Sequence, residues 1–265
     1  GVESQIDDFI CDFHEIEGPD KQILYSAESI VDKRPFMEHE NDVKDKITVL
    51  VSSLNFKDDE YNKLIHVIRA ECDALVENSI KKSYVPDPEI IIQAVMGTIL
   101  YLTTKNALNK VSEKLADKIS DDVVKMYDNI KKIIIAIGSK IVGNKETTYV
   151  LTEPEQDIEL VIVTSNPEEV LNAIEIAADG YILYQTEKYR RFFKGTLKKI
   201  QFRYNVETKK WEVNYMVTNT GQVVGSEKNY RKAVNLYNTI LKTSGAGFSI
   251  GGIAASEENT IDNVG

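Results

Sequence analysis

The sequence predicts an α+β protein. A helical N-terminal half precedes an α/β half, whose small, mainly antiparallel sheet is centred on a hairpin and flanked by helices. Three observations predict this. Apolar residues recur at helical spacing in three stretches before residue 143, and two alternating apolar runs surround a polar turn between 198 and 217. Charge also changes sign along the chain: residues 1–180 hold 19 Lys/Arg against 35 Asp/Glu, whereas 181–243 hold 13 against 4. The expected organisation is an acidic, mainly helical region over 1–143, an α/β region over 144–243 and a flexible acidic tail over 244–265. The basic segment 181–243 carries 11 of the 22 aromatic residues.

The first 46 residues are acidic and interrupted at Gly18-Pro19-Asp20 and Arg34-Pro35, and 47–56 is apolar without a clear period. Asp58-Asp59-Glu60 places carboxylates where a helix presents free N–H groups. Tyr61, Leu64, Ile65, Ile68, Cys72, Leu75, Val76 and Ile80 then recur with a period of 3.6, predicting a helix to about Lys82. Pro86-Asp87-Pro88 stops it, and the apolar run from Ile90 to Leu102 reads as a second, central helix. Val111, Leu115, Ile119, Val123, Met126, Ile130, Ile133 and Ile137 form a third stripe, close to a heptad seam and explained by packing within a bundle. Gly138 and Gly143 close it.

Thr147 to Leu151 and Ile158 to Thr164 are β-branched and read as strands. Ser165-Asn166-Pro167-Glu168-Glu169 combines a capping side chain, an early proline and two acids, so a helix starts there and runs to about Ala178. A second helix follows over 181–193. Ile200, Phe202, Tyr204 and Val206 alternate with polar residues, Glu207-Thr208-Lys209 turns, and Trp211, Val213, Tyr215 and Val217 alternate again, which is a hairpin. Val223-Val224 begins a short third strand, and Ser226 to Leu241 reads as a last helix.

The composition, 42% hydrophobic and 28% charged, is that of a globular chain. Ile outnumbers Leu 30 to 16 and Lys outnumbers Arg 26 to 6, a bias that A/T-rich coding sequences produce. Two widely spaced Cys make no disulfide framework, and no Asn opens an Asn-x-Ser/Thr triplet. The longest apolar run is short of the about 20 residues that span a bilayer. The acidic N-terminus lacks the apolar core of a secretion signal. The expected setting is intracellular, cytoplasmic or within a virion.

No motif supplies a chemical step. Cys11, His14, His39, His66 and Cys72 are the only thiols and imidazoles, and Cys11-Asp12-Phe13-His14 has the local spacing of a zinc pair. The matching second pair is missing, and His66 and Cys72 point about 240° apart on one helix. A Cys–His nucleophile drawn from the same residues has no supporting sequence around it. Glu155, Asp157 and Glu159, with Lys145 nearby, are the best carboxylate set for a metal-dependent hydrolase, and also the ordinary pattern of an exposed strand edge. Gly245 to Gly252 is Gly-rich but lacks the preceding strand, following helix and Lys of a phosphate loop. Neither catalytic residues nor a metal or cofactor site are assigned.

The basic segment carries the functional reading. Its candidate partner-binding residues are Lys188, Arg190, Arg191, Lys194, Lys198, Lys199, Arg203, Lys209, Lys210, Lys228, Arg231 and Lys232. Phe202, Tyr204, Trp211 and Tyr215 share one face by alternation, where core packing competes with stacking on bases. The order helix, three strands, helix, running through Trp211-Glu212-Val213 to Gly225-Ser226-Glu227-Lys228-Asn229-Tyr230-Arg231-Lys232-Ala233, is similar in outline to the double-stranded-RNA-binding domain over about 60 residues. That resemblance implies RNA contact by the last helix. The chain departs from the family where an Ala-rich helix opening on a Lys pair is replaced by Tyr and Asn, with Glu227 beside Lys228. The leading expectation is a non-catalytic assembly protein that forms a homo-oligomer through unlike charged regions, of the kind that builds virions of an A/T-rich genome. The alternative is a nucleic-acid-binding protein using 181–243.

Overall fold

The computed structural model describes residues 13–27, 46–51, 53, 56–78, 89–94, 98–104, 121–140, 146–153, 158–228 and 230–231. The chain divides into two compact units: Met37–Thr220, and Gly1–Phe36 together with Gly221–Gly265.

The larger unit contains strands β3 (Thr48–Val51), β4 (Leu75–Asn78), β5 (Glu89–Gln93), β6 (Thr147–Thr152), β7 (Ile158–Thr164), β8 (Leu197–Asn205) and β9 (Lys210–Thr218). Its helices are α1 (Asp58–Glu71), α2 (Thr98–Thr104), α3 (Asp121–Gly138), α4 (Pro167–Ala177) and α5 (Tyr181–Phe192). The strands lie in the order β9-β8-β7-β6-β5-β3-β4. Three neighbouring pairs are parallel, β3 with β4, β5 with β6 and β7 with β8, and each is joined through helices. The junctions between those pairs, β3 with β5, β6 with β7 and β8 with β9, are antiparallel. A parallel pair needs a crossover long enough for a helix, which is why helices and strands alternate along the whole unit.

This overturns the expected fold. The seven strands of the larger unit form a large mixed sheet and not a small, mainly antiparallel one. The helices are spread along the chain and do not make an N-terminal half. Strands β1, β2 and β3 fall in stretches that carry no clear period, and two misread stretches add β4 and β5. The first helix stops at Glu71, because Asp73 takes a left-handed conformation (φ 47°) and Leu75 N–H then donates to Ile47 O at 2.8 Å. Leu75 and Val76 thereby continue as β4 beside β3. The second is Ile90-Ile91-Ile92, which is strand β5, with Ile90 and Ile92 fully buried. A strand covered on both faces reads as an unbroken apolar run, and periodicity alone cannot tell it from a buried helix.

Helix α3 touches α1, α2 and α4, α2 also touches α4, and α5 packs on α2, so the helices form one layer. Ile90, Ile92, Tyr149, Leu151, Leu160, Ile162, Ile200 and Phe202 face that layer in register. From the helices come Ile68, Ile130, Ile133, Ile134, Ile137, Val170 and Ile174, all buried. The opposite sheet face is buried as well, at Thr48, Leu50, Gln93, Val150, Val161 and Gln201. Gly138 marks a close contact between α3 and α4: a Cβ there would lie 2.0 Å from Pro167 Cγ.

The hairpin of β8 and β9 is as expected, with Asn205 Oδ1 accepting from the Glu207 and Thr208 N–H groups in the turn. The register slips between Leu197 and Lys199 and again between Gln201 and Phe202; at the second slip Phe202 pairs with Val213 and Gln201 with Tyr215, leaving Asn214 extra. This bulge turns Tyr215 onto the face opposite Phe202, Tyr204 and Trp211 and puts Met216 beside Ile200. The expected sharing of one face by all four aromatics ends at Val213. The outline resembling the double-stranded-RNA-binding domain also changes, because β8 pairs on its far side with β7 and belongs to the larger sheet.

In the smaller unit, β1 (Phe13–Glu17) and β2 (Ile23–Ala27) form an antiparallel hairpin. Strand β10 (Val223–Ser226) pairs antiparallel with β2. A helical turn at Glu227 and Lys228 follows; the remainder of the expected last helix, the 111–120 stretch of the third and the tail over 244–265 lie outside the described residues. No helix among the described residues is long and apolar enough to cross a membrane.

Candidate interaction surface

Helices α4 and α5 present the most distinctive surface of the larger unit. Asn166 caps α4, its Oδ1 accepting from Glu168 N–H at 3.0 Å, and Pro167 opens the first turn. Val170, Ala173, Ile174 and Ala177 turn inward. Glu168, Asn172, Glu175 and, just past the helix, Asp179 are exposed. At 100° per residue these four fall within an arc of about 60°, so α4 shows an acidic stripe. Glu175 is engaged by the Tyr127 hydroxyl and by Lys131 Nζ at 3.0 Å. Glu168 and Asp179 form no ion pair among the described residues.

Gly180 (φ 80°) makes the corner into α5, where its N–H donates to Thr103 O at 3.0 Å. Ile182, Thr186 and Tyr189 turn inward. Outward stand Tyr181, 44% exposed, Tyr184, 65% exposed, the half-buried Lys188 and the exposed Arg191. Their spacings of 3, 4 and 3 hold them within an arc of about 80°.

The helix ends in a Schellman motif, with Gly195 N–H donating to Arg190 O at 3.1 Å and Lys194 N–H to Arg191 O at 3.1 Å. The residue at the left-handed position is Lys194 (φ 49°), where glycine is usual. Lys209, in the hairpin turn, is left-handed too (φ 53°). A side chain in that region costs about 1–2 kcal/mol, so local backbone preference does not explain a lysine at either place.

The twelve candidate cations divide into groups. Arg191, Lys194 and Lys198 are exposed and gather where α5 passes into β8, and Lys209 and Lys210 are exposed at the other end of β8. None of these five makes an ion pair among the described residues. Arg190 is held locally by Glu187 at 3.0 Å, and Arg231 by Glu227 at 2.5 Å. Lys199 pairs with Glu159, the side chains being only 14% and 12% exposed. Gln201 donates to the same Glu159 and to Tyr215 Oη at 3.1 Å, and Asn214 donates to Gln201. That network on the second sheet face pairs the basic segment with an acid outside it. Arg203 is half-buried in register with Val161 and Glu212, and Lys188 and Lys228 are engaged. Lys228 and Arg231 belong to the smaller unit, and Lys232 lies outside the described residues.

Phe202, Tyr204 and Trp211 are core residues: Tyr204 and Trp211 lie 5.4 Å apart, and Trp211 Nε1–H donates to Ala173 O at 3.0 Å. Among the described residues the exposed aromatic rings are Tyr181, which is already engaged within the chain, and Tyr184. Sequence reading missed them because the run was treated as one apolar and basic helix. The spacing Tyr181, Tyr184, Lys188, Arg191 is the signal that finds them.

The remaining candidates are dispersed. His14 is exposed in the smaller unit and His66 is exposed on α1, whereas Cys72 is buried, its thiol pushed up by burial. Cys11, His39, Lys145, Glu155, Asp157 and the glycines of 245–252 lie outside the described residues. Among the described residues no group of three or more His, Cys, Asp and Glu could hold a metal ion. Glu153, which sequence reading passed over, is buried and accepts the Ile99 N–H at the start of α2. No protein-family model matches the chain, and no curated protein or solved structure is similar to it; the functional reading therefore rests on the residues described above.

Proposed function

We propose that this protein is a non-catalytic interaction protein that assembles with copies of itself through unlike charged surfaces. The observation that carries the reading is the group Arg191, Lys194, Lys198, Lys209 and Lys210. These cations stay outward and unmatched among the described residues, although the chain is strongly acidic overall. Among the described residues, Lys199 is matched by Glu159, an acid from outside the basic segment. Placing Lys194 and Lys209 at left-handed positions against backbone preference supports a use for the charge itself. The inward carboxylates Glu153 and Glu159 are committed to Ile99 and to Lys199 with Gln201, which favours a structural over a chemical role for them. The A/T-rich coding bias fits a structural component of a virus or mobile element, working inside a cell or virion. Contacts of this kind give register and speed of association. Light scattering across salt tests the reading: the screening length falls from about 10 Å at 0.1 M to about 3 Å at 1 M. An oligomer at low salt that dissociates as salt rises is expected, and a monomer at every salt concentration refutes it.

A second reading is favoured by Tyr181 and Tyr184, whose exposed rings beside Arg191 could stack on unpaired bases. Anisotropy of a labelled single-stranded oligonucleotide tests it: binding should weaken steeply with salt, and no complex at low salt removes it.

A further inference from the structure

We infer that α4 and α5 form one self-complementary face, through which two copies of the chain pack about a two-fold axis. This rests on the self-assembly reading above and gives it a surface. The acidic stripe from Glu168 to Asp179 spans 12 residues, about 16 Å end to end at helical rise. The stripe from Tyr181 to Arg191 spans 11 residues, about 15 Å. The two are of matching length and opposite chemistry, both face outward, and they follow one another through Gly180. A two-fold interface sets residue i against j and j against i. The α5 stripe of each copy thus meets the α4 stripe of the other, and both equivalent contacts set Arg191 against an acidic stripe.

The residue types suit the contact. Glu175 is taken by Tyr127 and Lys131, so the open carboxylates, Glu168 and Asp179, stand at the two ends of the acidic stripe. The α5 stripe likewise offers two groups: the Arg191 guanidinium, whose fork fits one carboxylate, and the Tyr184 phenol, which donates to the other. Tyr and Arg are the side chains that anchor protein interfaces, and both tyrosines bring apolar rings to be covered. A nucleic-acid backbone fits less well, because Asp179 sits two residues from Tyr181 and repels phosphate.

The test is sedimentation or light scattering of three proteins: the wild type, Arg191→Glu, and Glu168→Lys with Asp179→Lys. The wild type should be a dimer. Each variant should dimerise at least tenfold more weakly, and an equimolar mixture should recover dimers, because the mixed pair restores opposite charges at both copies of the contact. Tyr184→Ala, which changes no charge, should also weaken the dimer, and urea midpoints for all variants confirm that each is folded. If the wild type is oligomeric and folded variants keep its affinity, the α4–α5 face is refuted while self-assembly stands. A wild type that is monomeric throughout refutes both. A monomer that binds a single-stranded oligonucleotide, and loses it in Arg191→Glu, assigns the stripe to nucleic acid instead.

Discussion

Replacing Gly138 by Ala tests the packing that fixes α4, and with it the proposed face. The added methyl would meet Pro167 Cγ at 2.0 Å and Pro167 Cβ at 2.6 Å, with the Tyr149 hydroxyl at 3.2 Å beneath. Ordinary carbon contacts begin near 3.5 Å, so the helices must separate by about 1 Å or more. The proline ring has no free rotamer with which to yield. Overpacking of this kind costs about 1–3 kcal/mol. Alanine's helix preference over glycine returns up to about 1 kcal/mol in a helix interior, and less here because Gly138 is the last residue of α3. The net expectation is a loss of about 2 kcal/mol. With a urea slope of about 3 kcal/mol/M, the unfolding midpoint falls by about 0.7 M. In a Pro167→Ala background the penalty should shrink, because Cγ is gone while the Cβ contact remains, and a double-mutant cycle reads that coupling directly. An unchanged or higher midpoint for Gly138→Ala would show that α3 and α4 do not meet there.

Four other outcomes follow from the same structure. Glu159→Gln or Lys199→Met alone should cost about 3–5 kcal/mol, because each leaves an inward charge unmatched, whereas the double variant should recover most of it; indifferent single variants would place the pair in water. Trp211→Phe removes the donor to Ala173 O, and the protein should lose about 1–2 kcal/mol by chemical denaturation; wild-type stability would mean the indole is not bonded. Lys194→Gly should stabilise the chain by about 0.5–1 kcal/mol, the left-handed strain relieved exceeding the added unfolded-state entropy, while reducing any salt-sensitive assembly; a loss of stability would refute the left-handed assignment. Burial pushes the Tyr149 phenol from 10.0 up to about 12. The folded state therefore holds its proton longer than the unfolded chain, so the stability this provides is complete below pH 10 and is lost as pH rises towards 12. Tyr149→Phe should flatten that part of an alkaline denaturation curve, and an identical curve would count against it.

Local chemistry made much of the second half of the chain legible. Asn166-Pro167-Glu168-Glu169 names its own helix start, because capping and proline geometry act over three or four residues. The β8–β9 hairpin follows from alternation around a short turn. The bulge at Asn214 was not readable, because it depends on how β8 must also pair with β7, and one unpaired residue sends Tyr215 to the other face. Cys72 and Leu75 continue the periodic stripe of α1 in sequence, yet the helix has already ended, since a hydrogen bond to Ile47 secures Leu75 in a strand. The triple isoleucine of β5 carries no period that distinguishes a helix from a strand.

By itself the sequence determined the charge division, the absence of any familiar chemical motif, and those elements whose signals lie within a few residues of one another. It also favoured core packing over base stacking for the hairpin aromatics, because an alternating run needs one apolar face. Tertiary structure alone decided that the acidic half supplies five strands, and which cations stay outward. It also decided that the open acids of α4 and the tyrosines of α5 stand on solvent-facing stripes. The reason is physical. Strand pairing and side-chain exposure are settled by partners tens of residues away, and burial on both faces erases the alternation by which a strand is recognised.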